Sequence, residues 1–241
     1  MKTKSIFCMA LLAVAMLCAA GCTKTNETEA SGTFNGHEYV DLGLPSGTLW
    51  ATCNIGAASP EEHGDYFAWG ETKPKDAYNW ENYKYCNGTS NQLTKYCTDA
   101  RYGYNGFTDY LTYLMLEDDA ASVNWGMGWR TPTKEQWEEL IENTTNTFTR
   151  WNGVKGRLFT ASNGRSVFLP SATGKPHEDD YLDWDDCGLY WSASLCTLYN
   201  SSVVGAWYLY SSNNYHAFIS SSSSRRHGLF VRPVCSTIWN K

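Results

Sequence analysis

The 35 residues from Cys196 to Phe230 contain no Lys, Glu, Gln, Met, Asp or Pro. Lys, Glu, Gln and Met make up 31 of the 241 residues, so a stretch of this length is expected to hold about four or five of them. That absence excludes an ordinary solvated surface. A flexible Ser-rich linker is excluded as well: nine Ser and four Tyr are interleaved with Trp207, Leu209, Phe218, Ile219, Leu229 and Phe230 at strand-like intervals. The chain also lacks a CxxC pair, and its five His (His37, His63, His177, His216 and His227) are scattered, which leaves a zinc site little support. Long apolar runs are missing beyond residue 20, where Gly, Trp and Tyr abound instead. Many short strands joined by long ordered loops are expected, with helices in the minority, an α+β class.

One apolar run stands at the start. Lys2 and Lys4 precede Ile6 to Ala20, the charge pattern and length of a signal peptide rather than a membrane span. The run ends in Ala19-Ala20-Gly21-Cys22, which resembles a bacterial lipobox with Ala19 where Leu is usual; Cys22 would then become the lipid-modified first residue. A plain secretory signal cut near Ala20 is the alternative. Residues 1–21 are therefore read as a lipoprotein signal and 22–36 as a polar, flexible tether. The membrane would be reached through acyl chains alone, on an exported, outer-membrane and surface-displayed lipoprotein. Loss of Lys2 and Lys4 leaves 17 of the 19 Lys and Arg against 25 Asp and Glu, a net charge of −8, so nucleic acid is not an expected partner.

Residues 37–241 suffice for one well-buried domain. Six Cys fall within it: Cys53, Cys86, Cys97, Cys187, Cys196 and Cys235. Export permits disulfides, and Cys86 with Cys97, flanking a polar loop, is the first pair to test. Strands are expected at 37–42 and 48–54 around the Pro45-Ser46-Gly47 turn. An aromatic, aperiodic loop region follows from Glu61 to Gly106. A short helix is expected over 117–125, with acidic residues in its first turn. A second runs over 134–143, where Thr133 and Gln136 have capping-box spacing and Trp137, Leu140 and Ile141 recur at i, i+3, i+4. Further strands are expected at 147–151, 157–160, 166–169, 189–194, 206–210, 215–219 and 229–235.

Several of these segments carry a family resemblance. Glu38-Tyr39-Val40-Asp41-Leu42-Gly43-Leu44-Pro45-Ser46-Gly47-Thr48-Leu49-Trp50-Ala51-Thr52-Cys53-Asn54 and Gly64-Asp65-Tyr66-Phe67-Ala68-Trp69-Gly70-Glu71 resemble secreted lipoproteins of Bacteroides-type gut bacteria. So do Gly128-Trp129-Arg130-Thr131-Pro132-Thr133, Phe168-Leu169-Pro170, Tyr190-Trp191-Ser192-Ala193-Ser194 and Arg225-x-x-Gly228-x-x-Val231-Arg232-Pro233-Val234. The resemblance implies a C-type-lectin-like fold, of the branch shared with formylglycine-generating enzymes and with the variable proteins of diversity-generating retroelements.

It also implies an account of the missing residue types. Those retroelements rewrite the first two positions of AAY codons, from which Lys, Glu, Gln, Met and Trp cannot arise, whereas Ser, Tyr, Asn, His, Phe, Leu, Val, Arg, Cys and Gly can. Apart from Trp207, residues 196–230 obey that filter. The variable segment is placed at about 195–231. Strand alternation would keep Trp207 and Leu209 in the core and turn Tyr208 and Tyr210 outward. The expected ligand-facing set is Tyr199, Ser201, Val203, Tyr208, Tyr210, His216, Phe218, Ser222, Ser224, Arg226, His227, Leu229 and Phe230, and its partner a protein or glycan on another cell, a host or a phage. Tyr offers broad amphipathic contact with few rotors and Ser adaptable hydrogen bonds, the chemistry of antibody loops. The alternative is a non-diversified member with Ser- and Tyr-rich surface strands.

Other chemistries find less support. The triplets of calcium-dependent sugar-binding lectins are missing. The acidic cluster Glu178, Asp179, Asp180, Asp183, Asp185 and Asp186 lacks EF-hand spacing and reads as a solvated loop. Formylglycine-type oxidation would need two reactive cysteines at a substrate groove, with Cys187 and Cys196 the nearest candidates in sequence. No nucleophile, base and orienter stand at recognisable spacing, so no enzymatic activity, cofactor or metal is expected.

Overall fold

A computed structural model describes residues 29–171, 186–198 and 204–236. Among the described residues, ten strands form three antiparallel sheets, accompanied by two short α-helices. The first sheet, in the order β1-β2-β3-β10, comprises β1 (Gly32–Phe34), β2 (His37–Asp41), β3 (Thr48–Ala51) and β10 (Val234–Ser236), so the two ends of the domain lie in one sheet. β4 (Thr144–Trp151), β5 (Val154–Ala161) and β6 (Ser166–Pro170) form the second, and β7 (Cys187–Leu195), β8 (Gly205–Ser212) and β9 (Phe218–Ser224) the third. Helix α1 spans Ala120–Trp125 and α2 spans Lys134–Glu142. This is an α+β architecture dominated by antiparallel sheet. Among the described residues no helix is long and apolar enough to cross a membrane.

Most expected elements are present, and the departures have local causes. The capping box of α2 is complete, with Thr133 accepting from the Gln136 amide and Gln136 accepting from the Thr133 amide. The helix expected over 117–125 is broken in two. Leu116–Asp118 is a 3₁₀ turn, and Asp119, extended at ψ 113°, caps α1 by accepting from the Ala121 amide at 2.9 Å. The tether boundary at 36 is too late, because β1 pairs Gly32 with Tyr39 and Phe34 with His37. β9 begins at Phe218 rather than Tyr215, because residues 213–217 make the turn that joins it to β8. Leu229 and Phe230 make single bridges to Phe67 and Tyr190 instead of starting the last strand. Cys86 and Cys97 are not bridged: each thiol donates to a backbone carbonyl, of Trp80 and Asp99 respectively, and no disulfide joins any of the six cysteines of the domain.

Two apolar cores lie on opposite sides of β3 and β7. The first gathers Trp69, Tyr83, Tyr96, Trp129, Trp191 and Tyr208 beneath the aromatic loop region; the second gathers Trp50, Trp137, Leu140, Phe159, Tyr190, Leu209 and Phe230 around α2. β7 is buried along its whole length, as a strand with a core on each face must be. Three buried indoles keep their N–H groups bonded, Trp69 donating to the Ser192 carbonyl at 2.7 Å, Trp191 to Phe67 at 2.7 Å and Trp137 to Trp191 at 3.2 Å, whereas the Trp50 N–H is buried without a partner among the described residues. Arg232, fully buried, donates to Asn54 Oδ1 and to the carbonyls of Ala51, Thr52 and Phe168, tying β3 to β6 across the molecule.

Candidate functional site

The third sheet positions most of the described candidate residues. Paired residues of an antiparallel ladder share a face, so Leu189, Tyr210 and Phe218 form one row across β7, β8 and β9, and Trp191, Tyr208 and Ser220 the next. Exposure rises along each row: Leu189 is buried, Tyr210 half-buried and Phe218 44% exposed; Trp191 and Tyr208 are buried and Ser220 half-buried. The opposite face carries Tyr190, Leu209 and Ile219 against α2 and the second core. The face opens to solvent only toward the edge strand β9.

Expected positions therefore divide. Tyr210, His216, Phe218, Ser224, Arg226 and His227 retain exposure. Tyr208, Leu229 and Phe230 do not, being 5%, 1% and 1% exposed, and they are corrected to core residues. The alternation argument failed at Tyr208 because the ladder shifts register between Ala206 and Tyr208, leaving Trp207 half-buried with Lys134 Nζ 5.2 Å from its ring centroid. With a core on each side of β8, both Tyr208 and Leu209 are enclosed. Phe230 stacks on Tyr66 at 4.5 Å between ring centroids. Tyr199, Ser201 and Val203 lie outside the described residues, as do Glu178, Asp179, Asp180, Asp183 and Asp185; the Ser222 backbone belongs to β9.

At the β8–β9 turn the exposed set becomes an aromatic cluster. Tyr210 stands 5.1 Å from Phe218 and 6.4 Å from Tyr215, itself 63% exposed. Beside them opens a cavity of about 270 Å³ lined by Asp186, Cys187, Tyr210, Ser212, Asn213, Asn214 and Tyr215. Tyr210 Oη is 3.1 Å from Cys187 Sγ, and burial together with that contact raises the phenol to about 12. Asp186 is paired with Lys155. The lining therefore offers rings, hydroxyls and amides with little unbalanced charge, which suits a broad, largely uncharged contact.

Arg157 holds this turn from beneath, and sequence reasoning passed it over. Only 4% exposed, it donates to Ser211 Oγ (2.9 Å), Asn146 Oδ1 (2.7 Å), the Ser212 carbonyl (2.6 Å) and the Tyr215 carbonyl (2.7 Å). Tyr215, Asn213 and Asn214 were also missed; an Asn-Asn pair between two strands was the available turn signal. Farther along β9, Arg226 donates to the Tyr78 carbonyl at 3.2 Å and His227 Nδ1 lies 3.2 Å from Ser223 Oγ. Gly228 lies against the Tyr78 ring, where an added Cβ would stand 2.8 Å from ring carbons.

Cys187 and Cys196 stand at opposite ends of β7, about 30 Å apart by strand rise, so they do not meet at one site. No family model matches the chain, and neither does any curated protein or solved structure.

Proposed function

We propose that this chain is a lipid-anchored binding protein with a C-type-lectin-like domain, whose ligand face is the β8–β9 edge of the third sheet and whose exposed positions there are diversified by a retroelement. One observation carries the reading. The segment stripped of Lys, Glu, Gln and Met coincides with β8, β9 and the chain after them, and within it residues of two kinds alternate between core and surface. Ala206, Leu209, Arg225 and Gly228 are enclosed and fix the backbone; Tyr210, Tyr215, His216, Phe218, Arg226 and His227 are accessible and can change without loss of the core. The absence of long charged side chains from an exposed edge strand has no stability rationale, since edge strands usually carry them. A codon filter accounts for it.

The surface is a recognition surface in its chemistry: exposed Tyr and Phe rings supply contact area and the Ser and Asn groups supply adaptable hydrogen bonds. A protein or glycan on another cell, a host or a phage is the ligand class. The decisive test is genomic. A reverse-transcriptase gene beside this one, with a template repeat matching the codons for Leu195 to Val234 and reading Asn at the exposed positions, is expected. Without that repeat the diversification claim fails and a non-diversified lectin-like lipoprotein remains. Mutating Cys187 or Cys196 to Ser, with turnover followed on cysteine-containing peptides, tests the rival oxidase reading, which requires an activity that those substitutions abolish.

A further inference from the structure

Outside the β8–β9 edge, exposed large apolar side chains concentrate between residues 104 and 127. Tyr113, Met115, Leu116, Val123 and Met127 are 50%, 42%, 49%, 51% and 81% exposed, and they come from the 3₁₀ turn, helix α1 and the segments flanking them. Tyr113 and Leu116 line a cavity of about 230 Å³ whose wall continues to Gly128. Isolated exposed apolar side chains need no explanation, but a rim of five drawn from residues 113–127, two of them on one cavity, does.

Two placements say what covers it. The first is where the chain enters the domain. β1 begins at Gly32, ten residues after Cys22, and the hairpin tip that follows is fastened to this rim: Asn35 Nδ2 donates to the Met127 carbonyl at 2.9 Å, the Phe34 and Trp129 rings stand 6.0 Å apart, and His37 stacks on Trp125 at 3.8 Å. Gly128, at φ +101°, admits the Phe34 ring where a Cβ would lie 2.5 Å from Cε1. The second is the opposite end of the third sheet. Tyr113 bridges Ser194 and the Thr112 carbonyl accepts from Leu195, at the C-terminal end of β7, whereas Tyr210, Tyr215 and Phe218 gather at its Cys187 end, about 20 Å away by strand rise.

We propose that this rim is the membrane-facing surface of the domain, resting Leu116, Val123 and Met127 in the interfacial region of the bilayer that holds the acylated Cys22. The inference rests on the lipid-anchor reading above. Ten residues reach at most about 35 Å and place no constraint on orientation by themselves, so the tether alone would leave the domain tumbling. An apolar rim fastened to the tip of the domain's first hairpin adds a second, weak membrane contact to the acyl chains and turns the β8–β9 face outward. Single lipid anchors are stabilised by such second signals.

The test reconstitutes the full acylated chain in vesicles of phosphatidylethanolamine and phosphatidylglycerol and maps accessibility by hydroxyl-radical labelling with mass spectrometry. The Cys22→Ser chain, free in solution, is the comparison. Labelling of Met127 and Leu116, each taken relative to Tyr215 and Phe218, is expected to fall about fivefold on the vesicles. In the double variant Val123→Glu, Met127→Glu the chain should still float with vesicles while Leu116 labelling returns to its free level. Unchanged labelling of the rim in a chain that floats overturns the proposal. Continued protection of Leu116 in the double variant also overturns it. Failure of the wild-type chain to float shows instead that Cys22 carries no lipid, and removes the anchor reading on which the proposal stands. Protection already present in the soluble Cys22→Ser chain, with a dimer in sedimentation, assigns the rim to a second copy.

Discussion

Asp118 shows how one side chain can secure a loop that has no regular structure. It is 2% exposed and receives Lys95 Nζ at 2.5 Å, Tyr96 Oη at 2.7 Å, Tyr85 Oη, and Lys84 Nζ at 3.4 Å, so the aromatic loop region is pinned to the 3₁₀ turn. Burial works to raise its carboxyl, yet the hydrogen bonds from Lys95, Tyr85 and Tyr96 outweigh it and hold the group below the usual carboxylate range. A depressed folded value means stabilisation that is complete above the unfolded carboxyl's value near 3.9 and is lost as pH falls through the lower folded one. Asp118→Ala is expected to cost about 3 kcal/mol at neutral pH, because it strands two phenols and an ammonium group, and to flatten the acid limb of a stability profile measured by urea unfolding. Arg157→Met is expected to cost about 3 kcal/mol in the same assay and to loosen the β8–β9 turn, since four oxygens lose a charged donor there. Neither role was legible beforehand: a lone Asp in an acidic stretch and a lone Arg in a strand carry no spacing that names their partners.

At the scale of elements, legibility followed local chemistry. Helix α2 was readable because its cap, its period and its preceding Pro132 agree, and the contiguous residues 132–142 alone decide it. The β1 strand was missed although its pairing with β2 is local, across the Asn35-Gly36 turn; at three residues Gly32–Phe34 shows no alternation to read, and the packing of Phe34 on Trp129 comes from 95 residues away. The face assignment in β8 failed for a related reason: period-two alternation presumes one wet side, and β8 has a core on each side and a register shift between Ala206 and Tyr208. The consequence is measurable. Leu209→Ser and Tyr208→Ser should each cost about 3 kcal/mol, as truncations in a closed core do, whereas Tyr215→Ser, His216→Ser and Phe218→Ser should each stay within about 0.5 kcal/mol. A large penalty at any of the last three would place them in the scaffold and remove them from the candidate face; a small one at Tyr208 would return it.

For the whole molecule, two cores replace the cross-links that export would allow. No disulfide joins any of the six cysteines of the domain, and Cys97, Cys187, Cys196 and Cys235 are buried as small apolar side chains. Desolvation raises the Cys235 thiol to about 12, and it raises the Cys86 and Cys97 thiols as well, so all three resist the thiolate chemistry that oxidation needs. Stability resting on buried Trp side chains such as Trp69, Trp137 and Trp191, whose indoles are hydrogen-bonded, rather than on bridges, predicts a melting temperature that reductant leaves unchanged within about 1 °C. The same thiols report on the chain's processing. On the lipid-anchor proposal, titration of the protein from bacterial membranes, unfolded without reductant, is expected to find six, because Cys8 and Cys18 would leave with the signal and Cys22 would be blocked as a thioether. Seven would mean a plain secretory cut near Ala20 with Cys22 unmodified, and nine an uncleaved chain. A disulfide removes two from whichever count applies, giving four, five or seven. Seven with an intact N-terminus by mass is thus distinct from seven without one. One titration joined to an intact mass decides both whether disulfides hold the domain together and whether a lipid holds it to a membrane.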